Sequence, residues 1–154
     1  MRLSSGILLV LLAACDSPSQ PDDRWAVPEE ITFATSLGID LDAMNLTESG
    51  LYWEDLEPGD QNAPVVQLED EVRLHYTIWL PDGSTVETTR DGQPIQRDVL
   101  VLIPGVAEGI TGMHPQGIRR LVIRPELIGP NGWGSIPPRT TVVCEVELVA
   151  IMPS

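Results

Sequence analysis

Leu102 to Met113, LIPGVAEGITGM, constrains the fold more than any other stretch, because it reads as a helix between segments that read as strands. Pro104 suits a first helical position, and Val106, Ile110 and Met113 recur at offsets of four and three, which puts them on one narrow apolar face. Gly105, Gly109 and Gly112 each cost roughly 1 kcal/mol against Ala in a helix interior, so the segment needs a sheet to hold its shape. Burial for stability explains this pattern by itself.

The flanking segments supply the sheet. Leu51 to Leu56 reads as a first strand, and the turn-rich Glu57 to Asn62 follows it. Val72, Leu74, Tyr76 and Ile78 alternate with Arg73, His75, Thr77 and Trp79, so one face of that strand is apolar. Pro81-Asp82-Gly83 can reverse a hairpin, and Thr85 to Thr89 returns from it. Arg119 to Pro125, the loop Gly129 to Pro138 and the Val-rich Thr140 to Ile151 complete the pattern. Strands on both sides of a lone short helix predict an α+β layer, an antiparallel sheet packed on that helix.

The N-terminal part has a different character. Arg2, the apolar run Ile7 to Leu12 and Ala13-Ala14 describe a secretory signal over 1–14, and its apolar run is too short to span a bilayer. LAAC, Leu12 to Cys15, resembles the bacterial lipobox, which implies cleavage before Cys15 and lipidation of that residue. Two or three acyl chains would anchor a domain stably, and Asp16 leaves the choice of membrane open. Residues 15–27 then read as a flexible tether rich in Ser, Pro and Asp. Residues 28–49 read as a helical lead-in, with a short helix from Pro28 that ends at Gly38 and a single turn from Asp40 to Met44 capped by Asp40. Residues 50–154 are the main domain.

The charge limits the partners. With 23 acids against 9 Arg and no Lys, the net charge is -14, a poor match to nucleic acid phosphates. Removing 1–14 takes Arg2 away and leaves 8 against 23, or -15, which an anionic membrane surface would repel. Cys144 alternates with Val142, Val146 and Leu148, so it is expected to be buried and unreactive, and a lipidated Cys15 leaves no disulfide partner.

Few residues suggest ordinary catalysis. There is no nucleophile-elbow Ser or glycine-rich phosphate loop, and His75 and His114 lack ligands at metal spacing, so neither a metal nor a cofactor is expected. His75, His114, Arg119 and Arg120 read as solvated, with surface ion pairs open to the two arginines. Glu145 and Glu147 read as the outward face of the last strand.

Five segments in order carry a resemblance. Leu74-His75-Tyr76-Thr77, LPDGSTVETTRDGQP from Leu80 to Pro94, LIPGVAEGITGM, GIRRLVIRPELI and IPPRTTVVCEVELVAI resemble the FKBP-type peptidyl-prolyl isomerases over roughly residues 50 to 152. The resemblance implies a half-barrel of five or six antiparallel strands wrapped on the short helix. It also implies rotation about X-Pro amides of exported or envelope proteins. Tyr76 matches the family's strand tyrosine, Glu87 its acidic residue, Ile103 the residue whose backbone N–H takes the substrate carbonyl, and Ile136 a wall residue. Where the family carries aromatic side chains this chain has Val86, Ile95, Val106 at the pocket floor, Ile128 or a deletion near the family's loop tyrosine, and Cys144, with Leu102 beside them. Short deletions near Gly92 and before Ile103 reshape the rim, and Trp133 is a candidate replacement wall. Three roles follow, a lipid-anchored isomerase with weakened activity, a peptide-binding or chaperone lipoprotein without catalysis, and an envelope lipoprotein with a filled pocket.

Overall fold

The computed structural model describes residues 27–153. The expected leader, Cys15 and nearly all of the tether lie outside the described residues. Seven strands, β1 Asn45–Leu46, β2 Tyr52–Glu57, β3 Glu71–Trp79, β4 Thr85–Thr88, β5 Ile95–Asp98, β6 Ile118–Ile123 and β7 Val142–Ile151, surround one helix, α1 Pro104–Ile110. All pair antiparallel in the order β1-β2-β6-β7-β3-β4, with β5 also on β3. The α+β expectation therefore holds, with two short strands beyond those read from the sequence. Those two are β1, of two residues, and β5, whose Ile-Gln-Arg-Asp has a single apolar residue.

Strand β7 is central because it has partners on both edges, Leu121 and Ile78 both facing Cys144 in register. Val142, Cys144, Val146 and Leu148 face the main core with Val106 and Ile110 of α1, all buried. Val143 points the other way into a smaller cluster with Leu37, Met44, Tyr52 and Val122. The lead-in thus covers the back of the sheet. Its Ala34 N–H donates to Pro81 O at 2.7 Å, and Tyr52 O–H donates to Glu29 at 2.8 Å.

The lead-in is not the helix expected from Pro28. It forms separate 3-10 turns at Pro28–Glu30 and Thr35–Leu37, and Gly38 at φ 61° closes the second. Extended Ile31 to Ala34, rich in residues that suit extended chain, separates them. Leu41–Ala43 forms a third turn, but Asp40 makes no side-chain cap bond there.

Helix α1 is shorter than the apolar pattern. Leu102 and Ile103 are extended before it, and the chain leaves at Thr111, while Met113 stays buried beyond the end. The exit is fixed by Gly112 N–H to Val66 O at 2.9 Å and Val66 N–H to Met113 O at 3.0 Å. The glycines that weaken the helix in isolation admit the sheet. A Cβ on Gly105 would lie 2.4 Å from Ile123 Cγ2, and one on Gly109 would lie 2.5 Å from Leu121 Cδ1.

Candidate functional site

An open cleft of about 330 Å³ lies between the inner face of β3, the start of α1 and the loop before β7. Strand β3 contributes Leu74, Tyr76 and Ile78, which share a face at spacing two, and β7 contributes Cys144 beside Ile78. Val106 enters from α1, and Leu102 and Ile103 enter from the extended chain before it. Ile95, Trp133 and Ile136 complete the apolar surface, and Glu87 lies at the mouth. Nine of the anticipated residues therefore meet in one cavity: Tyr76, Glu87, Ile95, Leu102, Ile103, Val106, Trp133, Ile136 and Cys144.

Val86 and Ile128 are not brought there. Val86 packs half-buried against the main core, and Ile128 is buried in it. The sequence reading missed Thr89, Arg97 and Val101, which do line the cleft. Period-two spacing from Ile95 along one strand face would have found Arg97.

Tyr76 O–H donates to the Glu87 carboxylate. Burial raises the Tyr76 pKa above the usual phenol range, and the bond to Glu87 raises it further, so the hydroxyl stays protonated as a donor. Thr89 sets the register behind the ring. Tyr76 N–H donates to Thr89 Oγ1 at 3.0 Å, and Thr89 N–H donates to Tyr76 O at 3.0 Å.

At the start of α1, Ile103 O accepts from Val106 N–H at 2.8 Å and from Ala107 N–H at 2.9 Å. Among the described residues no acceptor meets the Ile103 N–H itself, which leaves a backbone donor in a buried apolar setting. Trp133 is held by a reciprocal bridge, its N–H to Ile136 O at 3.1 Å and Ile136 N–H to Trp133 O at 2.8 Å. Cys144 is buried, and burial raises its thiol pKa well above the ordinary range, so it serves as apolar wall.

The polar side chains read as solvated are more engaged than that. His75 Nδ1 lies 3.2 Å from Thr89 O and from Thr89 Oγ1, and His114 Nδ1 lies 2.9 Å from Ala63 O; both rings are half-buried. Arg119 is buried on the inner face with Leu121 and Ile123 and forms a bidentate pair with Asp55 at 2.6 and 3.0 Å. It also donates to Gly109 O at 2.9 Å, and its guanidinium lies 4.1 Å from the Trp53 ring centroid. Arg120 is paired with Glu54 and Glu145. Among the described residues no group of three or more His, Cys, Asp or Glu could hold a metal ion.

Comparison with known proteins agrees with this geometry. The family described as "FKBP-type peptidyl-prolyl cis-trans isomerase" matches residues 63–149. The chain is 39% identical over 114 residues to the FKBP-type 22 kDa peptidyl-prolyl cis-trans isomerase of Escherichia coli K12, covering 72% of this chain and 54% of that protein. It is 37% identical over 107 residues to an FK506-binding protein of Neisseria meningitidis serogroup B, covering 66% of this chain and 96% of the relative. Among solved structures, Escherichia coli FkpA superposes with TM-score 0.67 at 29% identity, over 77% of this chain and 55% of that one. The chain thus spans little more than half the length of the 22 kDa relative and of FkpA.

Proposed function

Because the chain belongs to the FKBP-type peptidyl-prolyl cis-trans isomerase family, we propose that its cleft rotates X-Pro amides in exported or envelope proteins, more slowly than an aromatic-lined cleft would. The observation that carries this reading is the Tyr76–Glu87 pair and the free Ile103 N–H set in one open apolar cavity. Rotation faces a barrier of about 20 kcal/mol because resonance stiffens the amide. The Ile103 N–H holds the substrate carbonyl, the bond to Glu87 fixes the Tyr76 ring against the cleft, and the aliphatic walls strip water from the amide and weaken its resonance. No nucleophile, base or metal enters these steps.

The floor is where the rate is lost. Val106 offers an isopropyl group where an aromatic side chain would bury roughly 150–250 Å². A shortfall of about 1.4 kcal/mol in barrier lowering is already tenfold in rate. Proline isomerisation in a short peptide is the test. Slow turnover that falls in Tyr76→Ala and rises in Val106→Trp supports the account. Family-typical rates that neither change alters would overturn it.

A second reading, peptide binding without catalysis, is favoured by the apolar residues exposed in the cleft lining, where Val101 is 54% and Trp133 46% exposed. Saturable peptide binding with no rate enhancement would select it. The open cleft disfavours the filled-pocket role. For location we infer a lipid anchor at Cys15 on the bacterial envelope, with the domain outside the cytoplasm, resting on Leu12 to Cys15. Among the described residues no helix is long and apolar enough to cross a membrane. Cys15→Ser should release the protein from membranes, and sedimentation with membranes in high salt would refute the anchor.

A further inference from the structure

The cleft carries one cation as well as one anion, brought in by different strands, Arg97 by β5 and Glu87 by β4. Ile95 and Arg97 share a face of β5, and both line the cavity. Arg97 is opposite Val72 in register and Glu87 is opposite Ile78. Those two β3 positions are roughly 20 Å apart along a strand, with Tyr76 between them. The Glu87 charge is already engaged by Tyr76 O–H.

Arg97 is not engaged in the same way. Arg90 reaches Glu145 and Glu147, Arg119 reaches Asp55, Arg120 reaches Glu54, and Arg124 reaches Glu29. Arg97 donates Nη1 to Gln96 O at 2.8 Å, and among the described residues it pairs with no carboxylate. One bond leaves most of the five guanidinium donors open, in a planar fork that suits a carboxylate. The charge is felt inside the cleft, since it acts on the Tyr76 phenol against the upward pull of burial. It also stands out against a chain of 23 acids and 9 Arg, whose overall field repels acidic peptides.

We propose that Arg97 is a specificity-determining residue that receives an acidic side chain of the bound segment, on the flank of the proline that lies toward β5. Glu87, brought in by β4, disfavours an acid on its own side, so the preference is confined to the flank toward β5. The proposal rests on the isomerase reading only for the identity of the ligand as a proline-containing segment. An exposed arginine pair is modest, so the expected preference for acid over base is about two- to fivefold at low salt.

Four labelled peptides, identical except for Glu or Lys two residues before or two residues after the proline, test this by fluorescence anisotropy and by isomerisation rate on the full chain. The expected result is a Glu-over-Lys preference on one flank only, fading in about 0.5 M salt, lost in Arg97→Gln and reversed in Arg97→Glu. Each ratio is taken within one variant, so a general loss of affinity does not mimic the result. Equal affinities on both flanks, or a preference that Arg97→Glu leaves unchanged, would overturn the proposal. An Arg97-dependent binding preference without acceleration would sink the isomerase reading and keep this one. Acceleration without charge preference would do the reverse, and absence of binding by all four peptides would sink both.

Discussion

Replacing Arg119 by Met tests whether the inner-face arginine, rather than surface pairing, ties the sheet to the helix. Its side chain is 10% exposed, whereas that of its partner Asp55 is 37% exposed. Met keeps much of the stem that packs beside Trp53 but removes every donor. Asp55 can rehydrate, so losing that pair costs only about 1 kcal/mol. Gly109 lies in the last turn of α1, where its carbonyl has no helical partner, so removing the Arg119 Nη1 donor costs roughly 1–3 kcal/mol more. The cation–π contact adds about 0.5–1 kcal/mol. A loss of roughly 3 kcal/mol, or about 10 °C in Tm for a domain of this size, is expected. Arg120→Met is the control. Arg120 is 20% exposed and pairs at 3.2 and 3.6 Å, and its buried Nε has no hydrogen-bond partner, so removing it should cost about 1 kcal/mol or less. Urea denaturation at matched m-values gives both numbers. If Arg119→Met loses no more than Arg120→Met, the helix anchor does not exist.

Cys144→Val should be nearly neutral, whereas Cys144→Asp should destabilise by several kcal/mol because the carboxylate would take the place of a fully buried thiol; rapid thiol labelling of the folded protein would contradict both. Glu29 is pushed up by burial but pulled further down by a backbone N–H, Tyr52 and Arg124, so its pKa ends below 4.5. Its contribution is therefore present above the unfolded value and lost as pH falls through the lower folded value, and Glu29→Gln should flatten that acid limb of a stability–pH curve. Identical acid limbs in the two proteins would rule this out. The Tyr76 pKa is raised, by burial first, so its contribution is complete below about pH 10 and lost above it. Tyr76→Phe should remove that alkaline loss, and an unchanged alkaline limb in chemical denaturation would refute the assignment.

Much of the fold was legible because periodicity records which face is buried. The alternation in Val72 to Ile78 and in Val142 to Leu148 is the observed inner face of β3 and β7. What escaped was set by tertiary approach. The glycines of α1 read as a local cost, and only the sheet behind them shows why Ile123 and Leu121 exclude a Cβ. Arg119 has the same parity as Leu121 and Ile123, so its inward direction was legible, but charge alone argued for solvent. Its acceptors on β2 and α1 come from distant parts of the chain. The pocket list followed a resemblance, and it failed at Val86 and Ile128, which the fold directs into the core. Arg97 and Val101 belong to no matched motif and enter the cleft through the path of β5 and the turn after it.

The same geometry keeps a cleft open over an apolar floor that carries no aromatic ring. Val106, Ile103, Ile136 and Cys144 make the enclosed walls aliphatic, while the Tyr76 and Trp133 rings supply aromatic surface to the cleft, the latter at the rim. Trp133 is positioned by backbone: Gly132 has φ 75°, and a Cβ there would lie 2.2 Å from Ile136 O, the atom that accepts from Trp133 N–H. Only glycine closes that turn without displacing the bridge. On the proposed function the Trp133 contact lies at the mouth, where water remains nearby, and ordering the half-exposed ring as a peptide binds is expected to cost about 0.5–1.5 kcal/mol. Contact at the mouth grips the residues flanking the proline more than the amide itself, so it strengthens ground-state and transition-state binding about equally. On the proposed function, a cleft built this way is expected to hold its segment well and turn it slowly, so binding and rate must be measured on the same peptides.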